Sequence, residues 1–233
     1  MPLYYPVFDS TYFWYVLIPL IISLWASARV NSTFKKYSEF SNSRNLTASE
    51  VTRTILDKSG LGSVRVERVA GELTDHYDPR TNTIRLSESV YDSTSVAAIG
   101  VAAHEAGHAA QHDKGYLPIK LRNMLVPVAN FSARLAMPLI LFGFLLELGG
   151  LVNIAIILYS AVVLFSLITL PVEYNASRRA LVTLDEYGIL TDEENSAAKK
   201  VLGAAAMTYV ASMLAALGSF LRILAIFGGR RDR

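Results

Sequence analysis

This chain contains no cysteine and only four histidines in 233 residues. The first absence excludes disulfides, thiolate metal sites and a cysteine nucleophile, so any metal must be held by imidazole and carboxylate. The 22 Lys and Arg residues form no continuous basic tract, which leaves nothing suited to nucleic acid. Charge of either sign is missing throughout residues 10–28. With 52% hydrophobic residues and a mean hydropathy of +0.33, the composition is too apolar for a soluble domain of this length and indicates a membrane protein.

Tyr12–Ala28 is the first uncharged apolar run, about long enough to span a bilayer. Ala26-Ser27-Ala28 imitates a signal-peptidase site, but residues 2–10 offer only Asp9 and no basic n-region, so the run reads as an uncleaved anchor. Leu135–Leu148 and Leu151–Leu170 read as a transmembrane hairpin turning at Glu147–Gly150, with a kink expected near Pro138. Val201–Phe227 is a fourth apolar run, interrupted by Arg222, which favours a protein-facing or snorkelling position there. Fourteen Lys and Arg lie between Arg29 and Arg134, and none lies in the first ten residues or in the Glu147–Gly150 turn. By the positive-inside rule the segments after Arg29 and after Pro171 are cytoplasmic. The tail Arg230, Arg231 and Arg233 conflicts with that rule if the last run spans.

Between the first two runs the pattern changes. Thr47-Ala48-Ser49-Glu50 is a capping box opening a helix to about Lys58, closed by Gly60 and Gly62. Val64–Val69 alternates at period two and reads as a half-buried strand. Leu73–Tyr77 and Thr83–Leu86 read as two further short strands around the turn signal Asp78-Pro79-Arg80-Thr81-Asn82. Such a sheet offers an edge along which an extended peptide can lie. Thr191-Asp192-Glu193-Glu194 is a second capping box, opening the last helix.

The chemistry concentrates at His104-Glu105-Ala106-Gly107-His108, preceded by the small apolar residues 96–103. Imidazoles four residues apart share one helix face and can share one metal ion, with the intervening carboxylate placed as general base for a metal-activated water. A catalytic zinc takes three protein ligands and keeps one position open. Candidates for the third are His112, His76, Glu173 and Asp113. His112 lies a full turn further along the same helix, too far to close a tight tetrahedron, and suits a supporting position or a C-terminal cap. His76 sits on a presumed strand and is the alternative to Glu173. The latter follows Leu170-Pro171, where a fresh helix is expected to start. The hairpin would return it to the side of the His pair, and a first-turn carboxylate would also suit the helix dipole.

His104–His108, Leu73-Thr74-Asp75-His76-Tyr77-Asp78-Pro79 and Leu170-Pro171-Val172-Glu173-Tyr174-Asn175-Ala176-Ser177 occur in an order that resembles the YugP-type family of bacterial membrane zinc metallopeptidases. The resemblance covers nearly the whole chain, and the layout is more loosely similar to HtpX-type membrane proteases. It implies His104, His108 and Glu173 as zinc ligands and Glu105 as catalytic base. Ser177 departs from the wider gluzincin pattern, where an Asp often orients a liganding His; a hydroxyl can accept that hydrogen bond without charge. Arg178 and Arg179 are candidates for stabilising the oxyanion, and serve equally well as membrane anchors.

The expected fold is a mainly α membrane protein with a small α+β zincin-like metalloprotease domain and about four membrane-associated helices. The expected divisions are an anchor at 1–28, a cytoplasmic zincin-like domain at 29–122 and a transmembrane hairpin at 123–171. A third-ligand helix region at 172–200 and a C-terminal membrane-associated helix with its basic tail at 201–233 complete the chain. The expected activity is that of a zinc-dependent endopeptidase in the bacterial plasma membrane, acting on protein or peptide substrates from the cytoplasmic face. A homo-oligomer or a membrane-protein partner is compatible with the sequence. The rival is a scaffold or regulator that keeps zinc and cleaves nothing, although such a site has no need of Glu105. An intramembrane protease fits poorly, because polar residues 92–95 and 111–114 bracket too few apolar positions for a span.

Overall fold

The computed structural model describes residues 10–227; residues 1–9 and the basic tail 228–233, with the expectations placed on them, lie outside the described residues. The chain is a mainly α membrane protein with a small three-stranded sheet. Among the described residues, four helices are long and apolar enough to cross a bilayer: α1 (Ser10–Ser38), α5 (Leu117–Leu145), α6 (Gly149–Glu186) and α7 (Asp192–Phe227). Between α1 and α5 lie α2 (Ala48–Lys58), β1 (Arg65–Val69), β2 (His76–Asp78), β3 (Thr83–Ser87), the single turn α3 (Glu88–Tyr91) and α4 (Val96–Asp113).

The chain divides into two compact units. One comprises α1 up to Ser27, Leu121–Leu170 and the chain from Thr208. Its helices show large apolar side chains outward, among them Trp14, Leu24, Phe131, Met137 and Ile157, as lipid-facing surfaces do. Phe13–Leu17 within α1 is a π-helical segment. Gly143 lets α5 and α6 approach closely after their short turn, where Glu147 takes a left-handed φ of 56°. Arg222 faces protein: its guanidinium donates to Thr11 Oγ1 at 3.1 Å and lies 4.9 Å over the Tyr12 ring.

The other unit comprises Ala28–Lys120 and Pro171–Met207. Both capping boxes form there. Thr47 Oγ1 accepts from the Glu50 amide while Glu50 Oε2 accepts from the Thr47 amide, and Thr191 and Glu194 repeat the exchange. The sheet order is β1-β3-β2, with β1 parallel to β3 and β2 antiparallel along its other edge. Central β3 is buried at Ile84 and Leu86, which join Val51, Ile55 and Leu56 of α2 with Ile99, Ala102, Ala103 and Ala106 of α4 in one core. The small residues of α4 are thus core contacts that let neighbouring elements come close.

Two local expectations are corrected. The strand predicted from Leu73 begins only at His76, because Gly71 (φ 102°) and Leu73 (φ 53°) turn the backbone left-handed beforehand. More consequentially, no helix starts at Pro171. Helix α6 runs unbroken from Gly149 to Glu186 with Pro171 inside, so Glu173 does not lie in a first turn and no N-terminal dipole favours it. An internal proline forfeits one i to i−4 hydrogen bond, a loss tolerated in long apolar helices packed among others. Helix α5 likewise continues through Pro127 and Pro138.

Helix α4 meets α6 at Gly107. A Cβ there would sit 2.6 Å from the backbone oxygen of Ala176, closer than any side chain tolerates. Gly107→Ala should therefore push α4 from α6 and lower thermal stability in detergent by about 1–3 kcal/mol. Gly100→Ala, whose Cβ would meet Ala198 Cβ at 3.4 Å, should cost little. A Gly107→Ala protein melting like wild type would show that this approach is not constrained.

Candidate metal centre

The contact at Gly107 brings the two faces that matter together. His104 and His108, one turn apart on α4, present rings with centroids 4.7 Å apart at 85° to each other. From α6, Glu173 places Oε2 at 3.2 Å from His104 Nε2 and 3.5 Å from His108 Nε2. One ligand atom from each of the three lies within 4.8 Å of the others, and the carboxylate is 2% exposed. In a tetrahedral site with bonds of about 2.1 Å, donor atoms stand about 3.4 Å apart. The two observed nitrogen–oxygen separations bracket that value. Two imidazoles and a carboxylate at these separations fit a divalent metal ion.

Each imidazole is held from behind. His104 Nδ1 lies 3.0 Å from Ser177 Oγ, and His108 Nδ1 lies 3.0 Å from Gln111 Oε1. With Nδ1–H as donor in both rings, Nε2 is left free to ligate. Gln111 is itself anchored, its Nε2 donating to the Val172 carbonyl at 2.8 Å and to Asn175 Oδ1 at 3.0 Å. Arg179 Nε donates to the same Asn175 oxygen at 2.8 Å. A chain of hydrogen bonds thus ties His108 to α6 through groups that are not ligands.

Glu105 lies buried beside the three. Burial pushes its carboxyl up to about 7, opposed by His104 and reinforced by the charges of Glu173 and Asp75. The backbone of Tyr77, on edge strand β2, favours the ionised form slightly. A dication at the centre would favour the ionised form, as required of a base. Asp75 is set by Ser87, which donates to it through both backbone N–H (2.8 Å) and hydroxyl (2.9 Å).

The remaining candidates fall elsewhere. His76 is exposed and its Nδ1 engages the Thr74 carbonyl at 2.8 Å, outside the cluster of three. His112 is exposed, its ring 6.0 Å from that of Tyr77. Asp113 is exposed at the end of α4. Arg178 is exposed and lines, with Ser177, a cleft of ≈ 620 Å³ between α6 and α7, whereas Arg179 is occupied by Asn175. Sequence reasoning overlooked Gln111, Asn175 and Asp75. Gln111 stands three residues after His108 on the same face, a spacing that could have drawn attention to it. Asn175 meets Gln111 from 64 residues away and Asp75 meets Ser87 across the sheet, contacts that no local spacing announces.

Fold and site together define a helical membrane protein with a candidate metal centre of two histidines and one glutamate. The chain belongs to the family described as "Putative neutral zinc metallopeptidase", which matches residues 12–228. It is 48% identical over 211 residues to "Putative membrane protease YugP" of Bacillus subtilis (strain 168), an alignment covering 91% of this chain and 94% of that protein. No solved structure matches it.

Proposed function

We propose that this protein is a zinc-dependent endopeptidase of gluzincin type, held in the bacterial plasma membrane with its active site at the cytoplasmic face. The observation that carries the reading is the convergence of His104, His108 and Glu173 with a buried, separately positioned Glu105. His104, His108 and Glu173 would hold the metal. Zinc so held supplies Lewis-acid polarisation of a carbonyl and lowers the pKa of water towards neutrality.

The chain's own residues do the rest. Glu105 takes a proton from the attacking water and returns it to the departing amine. Ser177 and Gln111 keep the two imidazoles oriented, and Asn175 with Arg179 keeps Gln111 in place. The outer edge of β2, running past Glu105, can align an extended substrate by strand addition. Residues 29–122 together with 172–200 form the zincin-like catalytic part in this reading, and 1–28, 123–171 and 201–233 attach it to the bilayer.

The Glu105→Gln variant should retain stoichiometric zinc, because Glu105 is not among the ligands, yet lose proteolysis of a casein-like or membrane substrate by several orders of magnitude. Cleavage by the zinc-loaded variant at the wild-type rate would leave the scaffold reading in its place.

The cytoplasmic orientation rests on Arg29, Lys35, Lys36, Arg134, Arg178 and Arg179 near the ends of apolar runs. Single cysteines test it directly, since the chain has none of its own. One introduced at Ser41 should resist a membrane-impermeant thiol reagent in intact cells, and one at Pro2 should react. The reverse pattern would invert the topology.

A further inference from the structure

Away from the metal centre, a cleft of ≈ 510 Å³ separates the last turns of α1 from α7. Arg29, Thr33, Lys36 and Tyr37 line it from α1, at spacings that place them on one helix face. Lys200 and Gly203 face them from α7. Three cations converge there, and no carboxylate is among the lining residues. Gly203 stands on the wall shared with the cleft between α6 and α7, and a Cβ on it would meet nothing within 4 Å.

The placement of these charges along the chain identifies the occupant. Arg29 is the first charged residue after the uncharged stretch 10–28, and Lys200 is the last before the uncharged stretch 201–221. Both therefore stand where a helix leaves its apolar run, at the level of lipid headgroups. We infer that this cleft binds the phosphate-bearing headgroup of an anionic phospholipid. Arg29 offers forked donors to phosphate oxygens, Lys36 and Lys200 supply compact charges, and the Thr33 and Tyr37 hydroxyls can complete the shell. Positive residues that serve only as topological anchors need neither to converge on a cavity nor to exclude carboxylates from it. A free phosphate would satisfy the cations equally, but it would make no use of the uncharged runs that begin beside them.

The test uses the purified full-length protein and native mass spectrometry, counting retained phosphatidylglycerol against phosphatidylcholine. Wild type should retain phosphatidylglycerol selectively. Each basic group near a membrane surface contributes a roughly fivefold factor in affinity, so Arg29→Gln with Lys36→Gln should weaken retention about tenfold or more. The charge-matched pair Lys35→Gln with Lys199→Gln, neither of which lines this cleft, should retain lipid like wild type. Gly203→Phe fills the cleft without removing charge and should also abolish selective retention, which decides the matter if the double variant fails to fold. Equal loss from both charge pairs would reduce the effect to overall charge and overturn the site. Undiminished retention in Gly203→Phe would do the same. Displacement of the lipid by millimolar inorganic phosphate would reassign the site to a free anion.

Discussion

Two helices far apart in sequence touch backbone to backbone where Gly107 meets Ala176, and the candidate centre depends on that contact. The histidines of α4 reach Glu173 of α6 only because no side chain stands between the helices at Gly107. The same closeness is what makes the burial costly. A carboxylate, two imidazoles and the neighbouring Glu105 are withdrawn from water together, and burying charge is unfavourable unless each group is paired. Ser177 pairs with His104 and Gln111 with His108, while the two Nε2 atoms face Glu173 Oε2 at 3.2 and 3.5 Å. A bound dication would remove much of the remaining cost, coupling metal binding to the packing of α4 against α6.

Helix α6 carries Glu173 in its interior, well after its start at Gly149. Its position relative to Asn175, Ala176 and Ser177 is therefore fixed by helical geometry rather than by a loop. Asn175, Ala176, Ser177 and Arg179 follow on that helix, and together they provide the close backbone contact and the supports for both histidines. Sites built on rigid elements hold their geometry better than sites on loops.

Much of this could be read from the residues. Hydropathy alone locates the four apolar helices, because a span must satisfy its backbone internally and cover itself with apolar side chains. Both capping boxes are local signals and form as expected at Thr47 and Thr191. The i, i+4 histidines are equally local. Glu173 was reached by a different route, through the return of the hairpin and through family resemblance, and one supporting argument was wrong. Proline is read locally as a helix boundary, whereas at Pro171 the surrounding long helix overrides it. The early start assigned to β2 failed because nothing in Leu73 announces a left-handed backbone. Asp75 and Asn175 stayed hidden because their importance lies in partners that tertiary structure supplies, Ser87 of β3 and Gln111 of α4, while Gln111 was passed over although it follows His108 by three residues.

The central claim is that Glu173 completes a metal site with His104 and His108. Metal analysis by mass spectrometry on purified Glu173→Gln and His76→Ala proteins tests it most directly. The account predicts that Glu173→Gln loses most of its zinc while His76→Ala keeps close to one equivalent per chain. Zinc retained in Glu173→Gln and lost from His76→Ala would contradict it and move the third ligand to the β2 strand.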